Sequence, residues 1–147
     1  MKSIWLYRTA AVVFVLFALG HTFGFLSFRP RTAEGLAVYN AMNSVRLVTN
    51  ADYTYGKFYT GFGLFVTAYM LFSAFLAWQL GGLARKLPES AGALGWGLFT
   101  VQLACLALSG IYFGGPQVAF SSVTVVCLGW AAWSVQGAKA AIRAKGA

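Results

Sequence analysis

Three long stretches without a charged residue constrain this chain more than any motif in it. No Asp, Glu, Lys or Arg lies between Thr9 and Phe28, between Phe58 and Ala84, or between Ser90 and Ala138. A helix rises about 1.5 Å per residue and the hydrocarbon core of a bilayer is about 30 Å thick, so about 20 apolar residues cross it. The first two stretches each hold one span, 9–26 and 58–80. The third is too long for one, and Gly114-Gly115-Pro116 divides it into 91–113 and 118–135 with a tight connection. Hydrophobic residues make up 59% of the chain and charged ones only 10%, against about 25% charged in an ordinary soluble domain. Too few polar side chains exist to cover a soluble surface, which excludes disorder, a coiled coil and almost any soluble fold. Lipid cannot satisfy the edges of an open sheet, and continuous rather than alternating apolar runs exclude a barrel. The expected fold is a single all-α integral membrane domain over residues 1–147: a four-transmembrane-helix bundle with one short amphipathic extracytoplasmic helix.

Lys2 and Arg8 ahead of an apolar run, with Ala18-Leu19-Gly20 after it, resemble a cleavable signal. The apolar run continues through Phe23-Gly24-Phe25-Leu26, so the segment reads as the first span. One side of the four spans carries Lys2, Arg8, Arg85, Lys86, Lys139, Arg143 and Lys145, the other Arg29, Arg31, Arg46 and Lys57. Seven cations against four place both termini in the cytoplasm. Trp5, Trp78, Trp96, Trp130 and Trp133 fall on the terminal side, and Tyr39, Tyr53, Tyr55, Tyr59 and Tyr112 on the other, as interfacial rings do. The net charge of +8 marks span ends near anionic headgroups. It is not massed on one soluble face, so no nucleic-acid partner is expected.

The only long loop is 29–57. Thr32 is placed to cap a helix, with Glu34 in its first turn. Over 33–46, Ala37, Val38, Ala41, Met42, Val45 and Val48 share one face, and Tyr39, Asn40, Asn43 and Arg46 the other. Such a helix is too short to span and lies on the outer interface or caps the bundle. Asn50-Ala51-Asp52 signals a turn, and Arg46–Thr49 with Tyr53–Tyr55 offer a hairpin as the alternative to helix followed by turn.

Small and polar residues recur at heptad spacing within the spans. They are Ala11, Phe14, Ala18 and His21 in the first, with Gly20 and Gly24 as a small-xxx-small pair beside them. Gly63, Thr67, Met70, Ala74 and Ala77 follow in the second, and Ala91, Gly95, Leu98, Gln102, Cys105, Ser109 and Tyr112 in the third. Thr124, Cys127, Ala131 and Ser134 complete the pattern in the fourth. This spacing gives a left-handed bundle with close helix approach.

His21, the sole histidine, lies about 10 Å inside the outer end of the first span. An ionisable group at that depth is a functional candidate, and His21 is the only catalytic candidate in the chain. A neutral imidazole bonded across the seam explains it equally well. Tyr59, Thr60 and Gly63 of the second span and Ser109 and Tyr112 of the third stand at similar depth, with Asn40, Asn43, Arg46 and Asp52 able to close over them from the loop. These residues, His21 included, form a candidate ligand-binding set for a small polar headgroup, or for acid–base chemistry. Cys105 and Cys127 lie at comparable distances from the Gly114-Gly115-Pro116 turn and read as small apolar fillers.

No acid lies within a span, so transport driven by a buried carboxylate is not expected. One His cannot supply two haem ligands, and with two distant thiols it makes a poor metal site. Neither a phosphate loop nor a Ser-His-Asp set is present. No metal and no cofactor is expected.

Gly20-His21-Thr22-Phe23-Gly24, the loop helix and Phe58-Tyr59-Thr60-Gly61-Phe62-Gly63-Leu64 together resemble a family of small, uncharacterised bacterial four-span membrane proteins. The resemblance covers about residues 10–75; beyond them only hydropathy agrees. It implies location in a bacterial cytoplasmic membrane and no particular activity. The chain lacks the buried Glu of small drug exporters, the Glu-Arg and Asn helix pattern of membrane glutathione-transferase-like proteins and the Cys-x-x-Cys of quinone-linked thiol oxidases. The expected function is binding of a lipid or small hydrophobic molecule, or service as an accessory subunit. The alternatives are a small membrane enzyme using His21 and a purely structural assembly subunit, with a homo-oligomer as a possible partner state.

Overall fold

The computed structural model describes residues 2–49 and 51–145. The protein is all-helical: α1 Lys2–Ser27, α2 Ala33–Ser44, α3 Tyr55–Lys86, α4 Pro88–Tyr112 and α5 Gly115–Lys145. Four of these are long and apolar enough to cross a membrane, over Lys2–Ser27, Tyr55–Lys86, Ser90–Tyr112 and Gly115–Gly137. Each outruns its expected span at one end or both, because hydrogen bonding continues into the charged flanks that end the apolar run. The connections are short. Leu87 alone separates α3 from α4, whose first residue is Pro88. Phe113 and Gly114 separate α4 from α5, and Pro116 falls in the first turn of α5, where its missing N–H leaves no bond unmade.

Most large apolar side chains point outward. Phe23 and Phe65 are each 76% exposed and Trp133 72%. In water such a surface would cost about 25 cal/mol for every Å² left uncovered, whereas lipid covers it without that cost.

The contacts gather into two units. One comprises residues 1–17 and 70–147, the other 18–69. The core of the first is a seam of mostly small residues. Tyr7, Ala10, Ala11 and Phe14 come from α1, Ala74, Ala77 and Leu80 from α3, Ala91 and Leu98 from α4, and Leu128, Ala131 and Val135 from α5. Small side chains let helix backbones approach closely, which is where dispersion gain arises when the surrounding solvent is as apolar as the protein. The heptad stripe of the third span lies within this packing: Ala91, Gly95, Leu98, Gln102 and Ser109 are buried, Cys105 is half-buried, and only Tyr112 is exposed. α4 and α5 pack on one another. Between them, Ser109 Oγ lies 3.5 Å from Ser121 Oγ, and Thr124 Oγ1 donates to the Ser121 carbonyl at 2.9 Å. Cys105 and Cys127 are both half-buried.

In the 18–69 unit, α2 starts where its capping residue requires. Thr32 is extended (φ −91°, ψ 153°) and its Oγ1 accepts from Gly35 N at 3.1 Å, with Glu34 in the first turn. Replacing Thr32 with Ala is expected to weaken α2 by about 1 kcal/mol, seen as about five-fold faster amide exchange through its first turn. The helix ends at Ser44, two residues before the expected limit. The chain then pairs as the hairpin alternative anticipates, with a single antiparallel bridge between Arg46 and Thr54. Leu47 N donates to the Tyr53 carbonyl at 2.7 Å and Tyr55 N to the Val45 carbonyl at 3.3 Å. Helix and hairpin-like turn therefore occur in succession. Asn50, at the expected turn, lies outside the described residues.

The orientation of α2 differs from the expected division of faces. Ala37, Ala41, Val38, Val45 and Val48 are exposed, the last three by 60%, 50% and 56%. Gly35, Tyr39 and Met42 are the half-buried positions. Local contacts set this rotation. The Arg29 guanidinium lies 4.8 Å from the centroid of the Tyr39 ring, and Gly35 packs on Pro30.

Candidate functional site

The 18–69 unit contains a cavity of about 320 Å³ between the end of α1, one side of α2 and the start of α3. Its walls are mostly apolar, from Phe25, Leu26, Phe28, Val38 and Met42. Tyr39, Asn43, Tyr59, Thr60 and Arg29 supply polar groups. A mostly apolar cleft of about 300 Å³ or more with a few convergent polar groups is the usual form of a small-ligand site.

Glycines shape the walls. Gly56, at the start of α3, is buried against the Asn43 amide, and a Cβ there would collide with it. Asn43 is also oriented by its own helix, since its Nδ2 donates to the Tyr39 carbonyl at 2.8 Å. Tyr59 stands edge-on to Phe25, with ring centroids 6.5 Å apart and planes at 77°.

His21 stands behind this wall. Its Nε2 lies 3.2 Å from the Gly63 carbonyl on α3. A carbonyl only accepts, so Nε2 carries the proton and donates, leaving Nδ1 as the acceptor nitrogen. The ring stacks on Phe25, centroid to centroid 5.3 Å. One turn along, Thr22 and Thr67 meet at 2.7 Å. Thr22 Oγ1 is 2.8 Å from the Ala18 carbonyl and Thr67 Oγ1 is 3.2 Å from the Gly63 carbonyl. Each hydroxyl has one proton, so if Thr22 gives its own to Ala18, Thr67 donates to Thr22. The two helices are thus joined at two points, Thr22 to Thr67 and His21 to Gly63.

Of the candidate residues, Asn43, Tyr59 and Thr60 line the cavity, and His21 touches its wall through Phe25. Asn40 is exposed, is not among the lining residues, and offers its carbonyl to Ser44 Oγ at 3.0 Å. Ser109 and Tyr112 belong to the other unit, Ser109 buried opposite Ser121 and Tyr112 72% exposed. Asp52 binds Lys57 Nζ at 2.7 Å across an exposed pair. That hydrogen bond, and then the lysine's charge, hold the Asp52 carboxyl below the usual carboxylate range. The close approach of helices also differs from expectation. Among the described residues nothing lies within 4 Å of where a Cβ would stand on Gly20 or Gly24. Gly63 makes the approach instead, with the Phe25 ring where its Cβ would point.

Gly63 was expected beside His21 and is, whereas Phe25, Arg29 and Gly56 were not legible as site residues. Phe25 carried one usable signal, its position four residues after His21 on the same helix face. Among the described residues no group of three or more His, Cys, Asp or Glu is placed to hold a metal ion. No protein-family model, no curated protein and no solved structure matches the chain, so the resemblance over residues 10–75 has no matching family behind it.

Proposed function

We propose that this multi-pass membrane protein binds a small amphipathic molecule, a lipid or a lipid-soluble metabolite, in the cavity between the end of α1, α2 and the start of α3. The observation carrying this reading is the composition of its wall. An apolar body would lie against Phe25, Leu26, Val38 and Met42, while a polar head meets Asn43, Tyr59 and Thr60. Tyr59 and Thr60 were candidates by depth along the second span and Asn43 by its place in the loop, and all three line this cavity. His21 serves this site by position. Its ring backs Phe25 and its proton is given to Gly63, so it holds the wall and the two helices together. The excess of Lys and Arg beside the chain ends supports termini on the cytoplasmic side, with the cavity facing the outer leaflet. The resemblance noted above favours a bacterial cytoplasmic membrane.

The test is extraction in mild detergent followed by native mass spectrometry of the intact protein and identification of what it retains. One retained amphipathic molecule is expected on the wild type. Met42→Trp, which fills the cavity from its apolar side, should lose that molecule while keeping its helical circular dichroism. An unchanged set of retained molecules in Met42→Trp would overturn the reading.

A further inference from the structure

We propose that the unit formed by 1–17 and 70–147 holds one anionic phospholipid, its phosphate between Arg8 and Arg85 and an acyl chain in the groove beside them. The site is separate from the cavity described above. A recess of about 220 Å³ is lined by Ile4, Trp5, Arg8, Gly81, Gly82 and Arg85. It carries two guanidinium groups, and the Asp52 carboxylate pairs with Lys57 and not with either of them. Arg8 Nε is buried and without a hydrogen-bond partner there. The Arg8 guanidinium lies 4.9 Å from the centroid of Trp78. A half-buried guanidinium whose Nε donor is buried and unfilled is matched by a phosphate, which accepts from a planar fork and neutralises it.

Trp78 connects this recess to a second feature. It also lines a groove of about 400 Å³ whose other walls include Val12 and Val15 of α1 and Leu71 and Phe75 of α3. The groove is apolar throughout, and Leu71 to Trp78 runs about 10 Å along the helix. Both features lie on the same pair of helices. Arg8 and Arg85 are the first charged residues beyond the charge-free stretches of α1 and α3, so they stand at headgroup depth with the apolar groove running from them into the hydrocarbon. A cationic head site linked to an apolar chain site through the contact of Arg8 with Trp78 fits an anionic phospholipid and neither inorganic phosphate nor a neutral lipid.

Gly82 provides a variant that leaves the fold intact. A Cβ at Gly82 meets nothing within 4 Å, so a larger side chain enters the recess without collision, and leucine favours helix over glycine. The test reconstitutes the full chain in phosphatidylcholine nanodiscs with a graded fraction of phosphatidylglycerol. Retained lipid is counted by native mass spectrometry after transfer to detergent. The wild type should keep one phosphatidylglycerol in preference to phosphatidylcholine. Arg8→Gln and Arg85→Gln should each lower that preference about five-fold. Gly82→Leu should abolish it at an undiminished melting temperature. Met42→Trp should leave it unchanged, which separates this site from the cavity of the other unit. Equal retention of the two lipids, a preference indifferent to Arg8, Arg85 and Gly82, or displacement of the lipid by millimolar inorganic phosphate would overturn the proposal.

Discussion

Substitution of Gly95 by leucine is expected to destabilise the protein by about 3 kcal/mol or more, the largest effect of any single change on α4. Tyr7 is fully buried, and its hydroxyl occupies the place where a Cβ on Gly95 would stand. The end of the phenol ring is 3.2 Å from that point and the Ala132 methyl 3.5 Å. Three helices, α1, α4 and α5, therefore meet over a residue that has no side chain. Adding carbon there overpacks a site that has no room to expand, which costs about 1–3 kcal/mol for modest insertions and more for large ones. The gain of up to about 1 kcal/mol in helix propensity on replacing glycine offsets only part of this. Tyr7 offers a control. Its hydroxyl has no hydrogen-bond partner among the described residues, so Tyr7→Phe alone removes an unsatisfied buried group and should be neutral or mildly stabilising. Combined with Gly95→Ala, it also removes the atom that the new methyl meets. The double variant should therefore melt above Gly95→Ala alone, and thermal denaturation of all four members of the cycle in detergent measures the coupling. Simple additivity would place Tyr7 away from Gly95.

The second large effect is expected at Gly63. Two carbon atoms of the Phe25 ring lie 2.7 Å from where a Cβ of Gly63 would stand. Gly63→Leu must drive Phe25 aside, and Phe25 both stacks on His21 and lines the cavity. A loss of about 2–3 kcal/mol is expected from overpacking and from the helix-to-helix bonds broken with it. The retained amphipathic molecule should be lost too. His21→Gln should behave differently. A glutamine amide can still donate to the Gly63 carbonyl, and interhelical hydrogen bonds of this kind contribute about 0.6–2 kcal/mol, so the variant should lose less than about 1 kcal/mol and keep the cavity. Melting temperature and ligand retention, read together, separate the two roles of this wall. Loss of retention in His21→Gln at an unchanged melting temperature would assign the imidazole to the ligand and not to the helix contact.

The heptad stripes on α3, α4 and α5 were legible because interior faces need small residues at fixed spacing, and Met70, Ala74, Ala77, Ala91, Leu98, Thr124 and Ala131 are indeed buried. Three of the candidate ligand residues, Asn43, Tyr59 and Thr60, line the cavity. Tyr59 and Thr60 follow directly on the hairpin-like turn, and Asn43 sits at the end of a helix whose start Thr32 marks. The candidates were chosen by depth along a span or by place in the loop, coordinates that do not say which face of a helix a residue occupies. Ser109 accordingly lies opposite Ser121, and Asn40 is exposed beside the cavity-lining Asn43.

The division of labour follows from the range of the forces. Span number, the cap of α2 and the tight turns were determined by the sequence itself. They depend on hydrogen bonds made within a few residues and on a hydrocarbon thickness that every chain in a bilayer meets alike. Tertiary structure alone decided that Gly63 and not Gly20 or Gly24 lets helices approach. It decided likewise that α2 turns Gly35, Tyr39 and Met42 inward, that Tyr7 fills the space left by Gly95, and that the Nε of Arg8 is buried. In a lipid-soluble chain nearly every face is apolar, so hydrophobicity cannot choose among faces; shape complementarity and a few polar contacts do, and these exist only once the helices have met.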